Sequence, residues 1–91
     1  MLVKEYKVLA VDEHGTKWFL YWEEVDCDFD FVDEFYLVPV DTPSCAGSYS
    51  RRDLAEREVS ALKLAGVCHR CAEIVSVKKL KLKIVEFTAE V

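Results

Sequence analysis

The sequence predicts an α+β domain: a mainly antiparallel sheet of four or five strands with one helix packed across it, in the order β-β-β-α-β(β). Three observations predict it. Residues 3–23 hold two runs of strand formers around a glycine-containing turn. Residues 50–65 hold the only long apolar stripe at helical spacing. Residues 67–91 return to alternation. The 91 residues form one domain, 1–91, because domains usually span about 50–250 residues.

Each element has a local reason. Val8, Leu9, Ala10 and Val11 make the second half of strand 3–11 apolar on both faces, so both faces are expected to be covered. Asp12 to Thr16 form a turn in which Gly15 is free to take a positive φ. Lys17 to Glu23 are rich in aromatic strand formers and complete a β-hairpin. Phe35 to Val40 read as a third strand. Pro39 removes a ladder donor there, which places it at an edge or at the strand end.

Ser50 is a good N-cap, and Asp53 three residues later resembles a capping box. Leu54, Ala55, Val59, Leu62 and Ala65 form the stripe of the helix, and Asp53 and Arg57 are an i,i+4 pair on its charged face. Gly66 is the expected left-handed stop. Beyond it, Val75 and Val77 share one parity, whereas Leu80, Leu82 and Ile84 share the other. The phase flips at Lys78-Lys79, so residues 72–87 form one bent strand or two strands; the lack of Gly, Asn or Pro favours the bend.

Hydrophobic residues at 52% and charged residues at 32% exclude a disordered chain. No apolar run reaches the roughly 18 residues of a membrane span. The segment Met1–Lys7 lacks the basic-then-apolar order of a signal peptide, so a cytoplasmic protein without a membrane partner is expected. The net charge of −5 conceals a polarity. Residues 1–45 carry eleven Asp/Glu against three Lys, and residues 46–91 carry six against nine Lys/Arg. Nine of the eleven aromatic residues also lie in the first half, so an acidic, aromatic surface that attracts basic partners is expected.

That surface centres on residues 23–34, with seven carboxylates: Glu23, Glu24, Asp26, Asp28, Asp30, Asp33 and Glu34. Asp favours neither strand nor helix, so a loop or irregular edge is expected, anchored by Phe29 and Phe31. Asp26, Asp28 and Asp30 have the spacing that opens a calcium loop. Phe31 stands where that loop needs Gly and Leu37 where it needs Glu, which excludes an EF-hand. Carboxylates interleaved with Phe suit a basic protein surface, with the aromatics as anchors. On a nucleic-acid-handling partner they would stand in for phosphates. The competing reading is a solvated loop, or one neutralised by Lys79, Lys81 and Lys83 across the sheet. Arg51, Arg52, Arg70 and Lys78 add to those lysines, but no aromatic platform accompanies them, which disfavours direct nucleic-acid binding.

Cys68-His69-Arg70-Cys71 is the one motif with cysteine chemistry in its spacing. It follows a helix C-terminus, where the dipole opposes thiolate formation, so a redox dithiol is disfavoured. A zinc site would use Cys68 and Cys71 with Cys27 and Cys45, although the last two are isolated rather than a second CxxC. Otherwise these cysteines are small core hydrophobes. His14 and His69 are far apart in sequence, neither beside a nucleophile it can activate, so no triad is expected.

The run Ser48-Tyr49-Ser50-Arg51-Arg52-Asp53-Leu54 to Gly66-Val67, followed by Ala72-Glu73-Ile74-Val75-Ser76-Val77, resembles the helix-then-strand ending of small phage and prophage α+β proteins. The Cys-His-Arg-Cys insertion departs from that pattern. The resemblance implies a stoichiometric inhibitor or anti-defence protein acting on a host protein. The expectation is therefore a non-enzymatic binding protein without a cofactor, engaging a basic host surface through residues 23–36. The alternatives are a zinc-stabilised module and a self-associating homo-oligomer.

Overall fold

Alternating burial along Leu2–Val11 puts Val8 and Ala10 fully inside, which makes this segment an interior strand, β1, of the sheet. A computed structural model describes residues 1–27, 30–42 and 46–90. The other strands are β2 (Lys17–Cys27), β3 (Asp30–Pro39), β4 (Val67–Arg70), β5 (Glu73–Ser76) and β6 (Lys81–Glu90), with one helix, α1 (Arg52–Ala65). Together they form a six-stranded sheet in the order β5-β4-β3-β2-β1-β6.

The α+β class stands, with one strand more than the expected maximum and a mixed sheet. Only β3–β4 is parallel; the other four pairings are antiparallel. A parallel pair needs a crossover connection, and α1 is that connection. Pro39 ends β3, which is an interior strand, so it costs no ladder bond in mid-sheet. The phase flip at Lys78-Lys79 is neither a bulge nor a bend. A single 3-10 turn over Val77–Lys79 separates β5, at one edge, from β6, at the opposite edge. Two strands that never touch need no common phase.

One face of the sheet carries α1. The core joins Val8, Ala10, Leu20, Phe35, Leu37, Cys68 and Val75 to Ala55 and Leu62 of the helix, with Val77 and Leu80 closing the end. Leu20 and Leu62 are almost wholly buried, each contributing about 1.5–3 kcal/mol of apolar transfer energy. Gly66 caps the helix in the left-handed conformation at φ 79°, its N–H donating to the Leu62 carbonyl. At the other end Arg51, not Ser50, holds the N-cap position, and no side chain caps it. Asp53 is drawn instead to the Arg51 guanidinium, with contacts of 3.1 Å, which displaces the expected capping box.

β1 and β2 pair only from Phe19 back to Lys17 and then diverge. The segment leading into α1 fills the gap: Gly47 N–H donates to the Leu20 carbonyl, and Tyr49 exchanges both backbone bonds with Tyr6 in an isolated bridge. The β2–β3 hairpin therefore leaves the sheet as a two-stranded arm. No helix among the described residues is long and apolar enough to cross a membrane.

Candidate functional site

The arm is built by pairing that runs from Trp18↔Pro39 to Cys27↔Asp30. Residues 23–27 and 30–34 are thus strand, not the expected loop or irregular edge. Cross-strand pairing with a partner of matching length outweighs the low strand propensity of Asp. The register has an electrostatic consequence. Glu23 lies opposite Glu34, and Glu24 lies opposite Asp33. Like charges directly opposite destabilise a ladder, so two successive rungs are held in spite of their charge.

Of the residues expected to bind a partner, Glu23 and Glu24 are exposed and Glu34 is half-buried. Asp26, Asp30, Asp33 and Phe31 hold register positions on the arm, where only their backbone is described. Asp28 and Phe29 lie outside the described residues. The lysines proposed to neutralise this segment do not flank it. Lys81 and Lys83 sit on β6, with the whole of β1 between them and β2, so the strand order does not place them beside the arm. β6 nonetheless fits a protected edge, with Lys81 and Lys83 exposed on it.

An aromatic cluster not foreseen in the sequence sits at the base of the arm, on the face away from α1. Tyr36 stacks on His69 with centroids 4.9 Å apart. Tyr21 lies 6.2 Å from Tyr36 across the strands. The Tyr36 hydroxyl donates to Glu34 at 2.5 Å, and this bond pushes the phenol up to about 12. His69 Nε2 approaches the same carboxylate at 3.9 Å. The period-two parity of Tyr21, Glu23, Glu34 and Tyr36 was the readable signal. The β4 register that adds His69 was not.

The cysteines separate into two environments. Cys68 is packed in the core, where burial raises its thiol, the opposite of an activated thiolate. Cys71 is exposed at the β4–β5 turn, beside the aromatic cluster. Of Cys27 only the backbone is described, and Cys45 lies outside the described residues. Among the described residues no group of three His, Cys, Asp or Glu side chains is placed to hold a metal ion. Cys71 adopts φ 55°, a left-handed conformation that a residue with a Cβ takes at a cost. Cys71→Gly is expected to stabilise the domain by about 1 kcal/mol, read from chemical denaturation midpoints. A lower midpoint would show that the thiol contributes packing worth more than the strain.

His14 is a turn residue, as expected. Its N–H and that of Thr16 donate to Asp12 Oδ1, each at 2.9 Å. No known protein family, curated protein or solved structure matches this chain.

Proposed function

We propose that the protein works by binding rather than by turnover, and that the β2–β3 arm engages a basic protein surface. The supporting observation is the pair of like-charged rungs, Glu23↔Glu34 and Glu24↔Asp33, on the outer part of the hairpin, beyond the residues of β2 and β3 that pair with β1 and β4. Such rungs lower the stability of the free protein and are relieved only when a cationic surface arrives.

Charge density favours a partner that handles nucleic acid. Five rungs, from Glu23↔Glu34 to Cys27↔Asp30, carry six carboxylates. At about 3.4 Å per residue those rungs span roughly 14 Å, over which duplex DNA carries about eight phosphates. The two densities are similar, so a groove lined by Lys and Arg for phosphates would accept the arm. A stoichiometric inhibitor or anti-defence protein of phage type is the biological form this reading takes.

The test is capture from a lysate of the cells that express the gene, with the immobilised chain at low salt. The expected result is one retained protein, released by salt and by duplex DNA. It should be lost when Glu23, Glu24, Asp33 and Glu34 are all changed to Lys, in a variant whose thermal melt shows that it is folded. Equal retention by the charge-reversed arm would overturn the proposal.

A further inference from the structure

Among the described residues no helix covers the face of the sheet away from α1. An antiparallel sheet with one solvated face normally alternates apolar inward and polar outward. Here the outward positions are apolar as well. Tyr21, Tyr36, His69 and Ile74 stand in register on β2, β3, β4 and β5 and form one row across four strands. They alternate with Leu20, Leu37, Cys68 and Val75, which pack on the helix side. Ile74 is 68% exposed, and Tyr21, Val67 and Phe87 are exposed on the same face. A large exposed apolar patch rimmed by charge marks an interaction surface.

The charges on this face are sorted by end. Lys17 on β2 stands opposite Val11, and Val11 stands opposite Lys81 on β6, with Lys83 next on the same face. Glu23 on β2, opposite Glu34 on β3, holds the other end. Among the described residues Lys17, Lys81 and Lys83 form no ion pair with an acid. The apolar row therefore lies between a cationic end and an anionic end roughly 20 Å apart, six residues of β2 at about 3.4 Å each. We infer that this face is the interface of a two-fold symmetric dimer, in which a second copy of the chain packs sheet against sheet with its strands running antiparallel.

The charges select that arrangement. Stacked sheets keep their strand directions within about 30° of one another. A two-fold axis across the strands at the level of Leu20, midway between residues 17 and 23, sets Lys17 of each copy over Glu23 of the other. An axis along the strands would instead set lysines on lysines and carboxylates on carboxylates. Across six strands, five spacings of about 4.8 Å by roughly 20 Å give about 480 Å² from each copy. The total of about 1,000 Å² is at the lower bound for a specific interface, so a dimer that dissociates at micromolar concentrations is expected. The inference does not rest on the role of the arm. Only one of its like-charged rungs, Glu23↔Glu34, belongs to this face; the Glu24↔Asp33 rung has the opposite parity and stays available to a partner.

The experiment is analytical ultracentrifugation of the intact chain from about 5 μM to about 1 mM, at low salt and at about 0.15 M salt. The expected result is a mass that rises with concentration from 10.5 kDa to twice that value and stops there, with weaker association in salt. Ile74→Lys, at an exposed edge position, should keep the wild-type melt and stay monomeric throughout. Lys17→Glu and Glu23→Lys should each weaken dimerisation at least about tenfold. Mixed in equal amounts the two variants should dimerise again, because each like-charged contact of the separate variants becomes an opposite pair. A wild type that stays monomeric at every concentration would leave the face to another protein and overturn the inference. So would a mass beyond the dimer, undiminished association of Ile74→Lys, or no recovery on mixing. Lys17→Glu keeps every carboxylate of the arm and should still capture the basic partner, so failure of one proposal is distinguishable from failure of the other.

Discussion

Glu58→Gln will match the wild type in stability below about pH 4 and exceed it by about 3 kcal/mol above about pH 8. Burial pushes the Glu58 carboxyl up to about 7 from an ordinary 4.5, and the neighbouring Tyr49 offsets this only in part. The native state therefore keeps a proton that the unfolded chain releases. Between about pH 4.5 and pH 7 the folded protein binds more protons than the unfolded one, so stability falls as pH rises through that window. A difference of about 2.5 between 4.5 and about 7, at about 1.36 kcal/mol for each pH unit, sets the size of the effect. Gln presents the shape and polarity of the protonated acid but has no proton to lose. Urea unfolding followed by tryptophan fluorescence at a series of pH values measures it. Parallel curves for wild type and variant would show that Glu58 is ionised and solvated at no cost.

The carboxylates near the β1–β2 turn act in the opposite sense and in a different window. The Trp18 indole, together with the turn N–H groups and Arg70, holds Asp12 below its ordinary 3.8. Its own backbone N–H and Arg70 hold Glu13 below 4.5. Their contribution is present above those values and is lost as pH falls through the depressed folded values. Taken together, these three groups favour the folded state of the wild type most in the window between the two sets, at about pH 4.5. In Glu58→Gln that window becomes a plateau extending upward in pH.

How much of this was legible beforehand follows from which interactions are local. The β1–β2 turn, the helix and its Gly66 stop depend on neighbours within a few residues, and the sequence carries those signals directly. The arm does not. Asp26, Asp30 and Asp33 have loop-like propensities, and only the long-range register with β2 makes them strand. The opposite-edge placement of β5 and β6 was visible as a phase flip, but a flip alone does not distinguish a bend from a crossing of the whole sheet. Glu58 was also visible. It occupies the buried phase of α1 with Ala55 and Leu62, a charged residue in an apolar stripe. What the sequence lacked was the wall opposite, since Trp22, Phe35 and Tyr49 come from three separate segments.

The Cys-His-Arg-Cys segment illustrates the same limit, and its arginine carries the second large effect. Arg70→Met is expected to lower the melting temperature by roughly ten degrees or more. The Arg70 side chain, 12% exposed, reaches Asp12 at 3.1 Å and Glu13 at 2.9 Å on the β1–β2 turn, and Glu73 at 2.6 Å across its own hairpin. Asp12 is 2% exposed and is also bonded by Trp18 Nε1 at 2.9 Å. One guanidinium thus pairs with three carboxylates from two turns that meet only in the folded state. Met keeps the aliphatic stem and removes the charge, leaving a buried Asp12 beside two other acids. Arg51→Met is the control: its pair with Asp53 is exposed on both sides, and its loss should move the melt by no more than about a degree or two. The deficit of Arg70→Met should shrink as pH falls towards about 4, because protonating the carboxylates removes the repulsion that the guanidinium had offset. Faster amide exchange at Val67–Glu73 than in the wild type would locate the damage at β4 and β5. If Arg70→Met melted like Arg51→Met, backbone pairing with β3 would suffice to hold this hairpin. With the expected result, the chemistry of the motif lies between its cysteines: Cys68 fills the core, Cys71 turns the chain, and Arg70 fastens that turn to the β1–β2 turn.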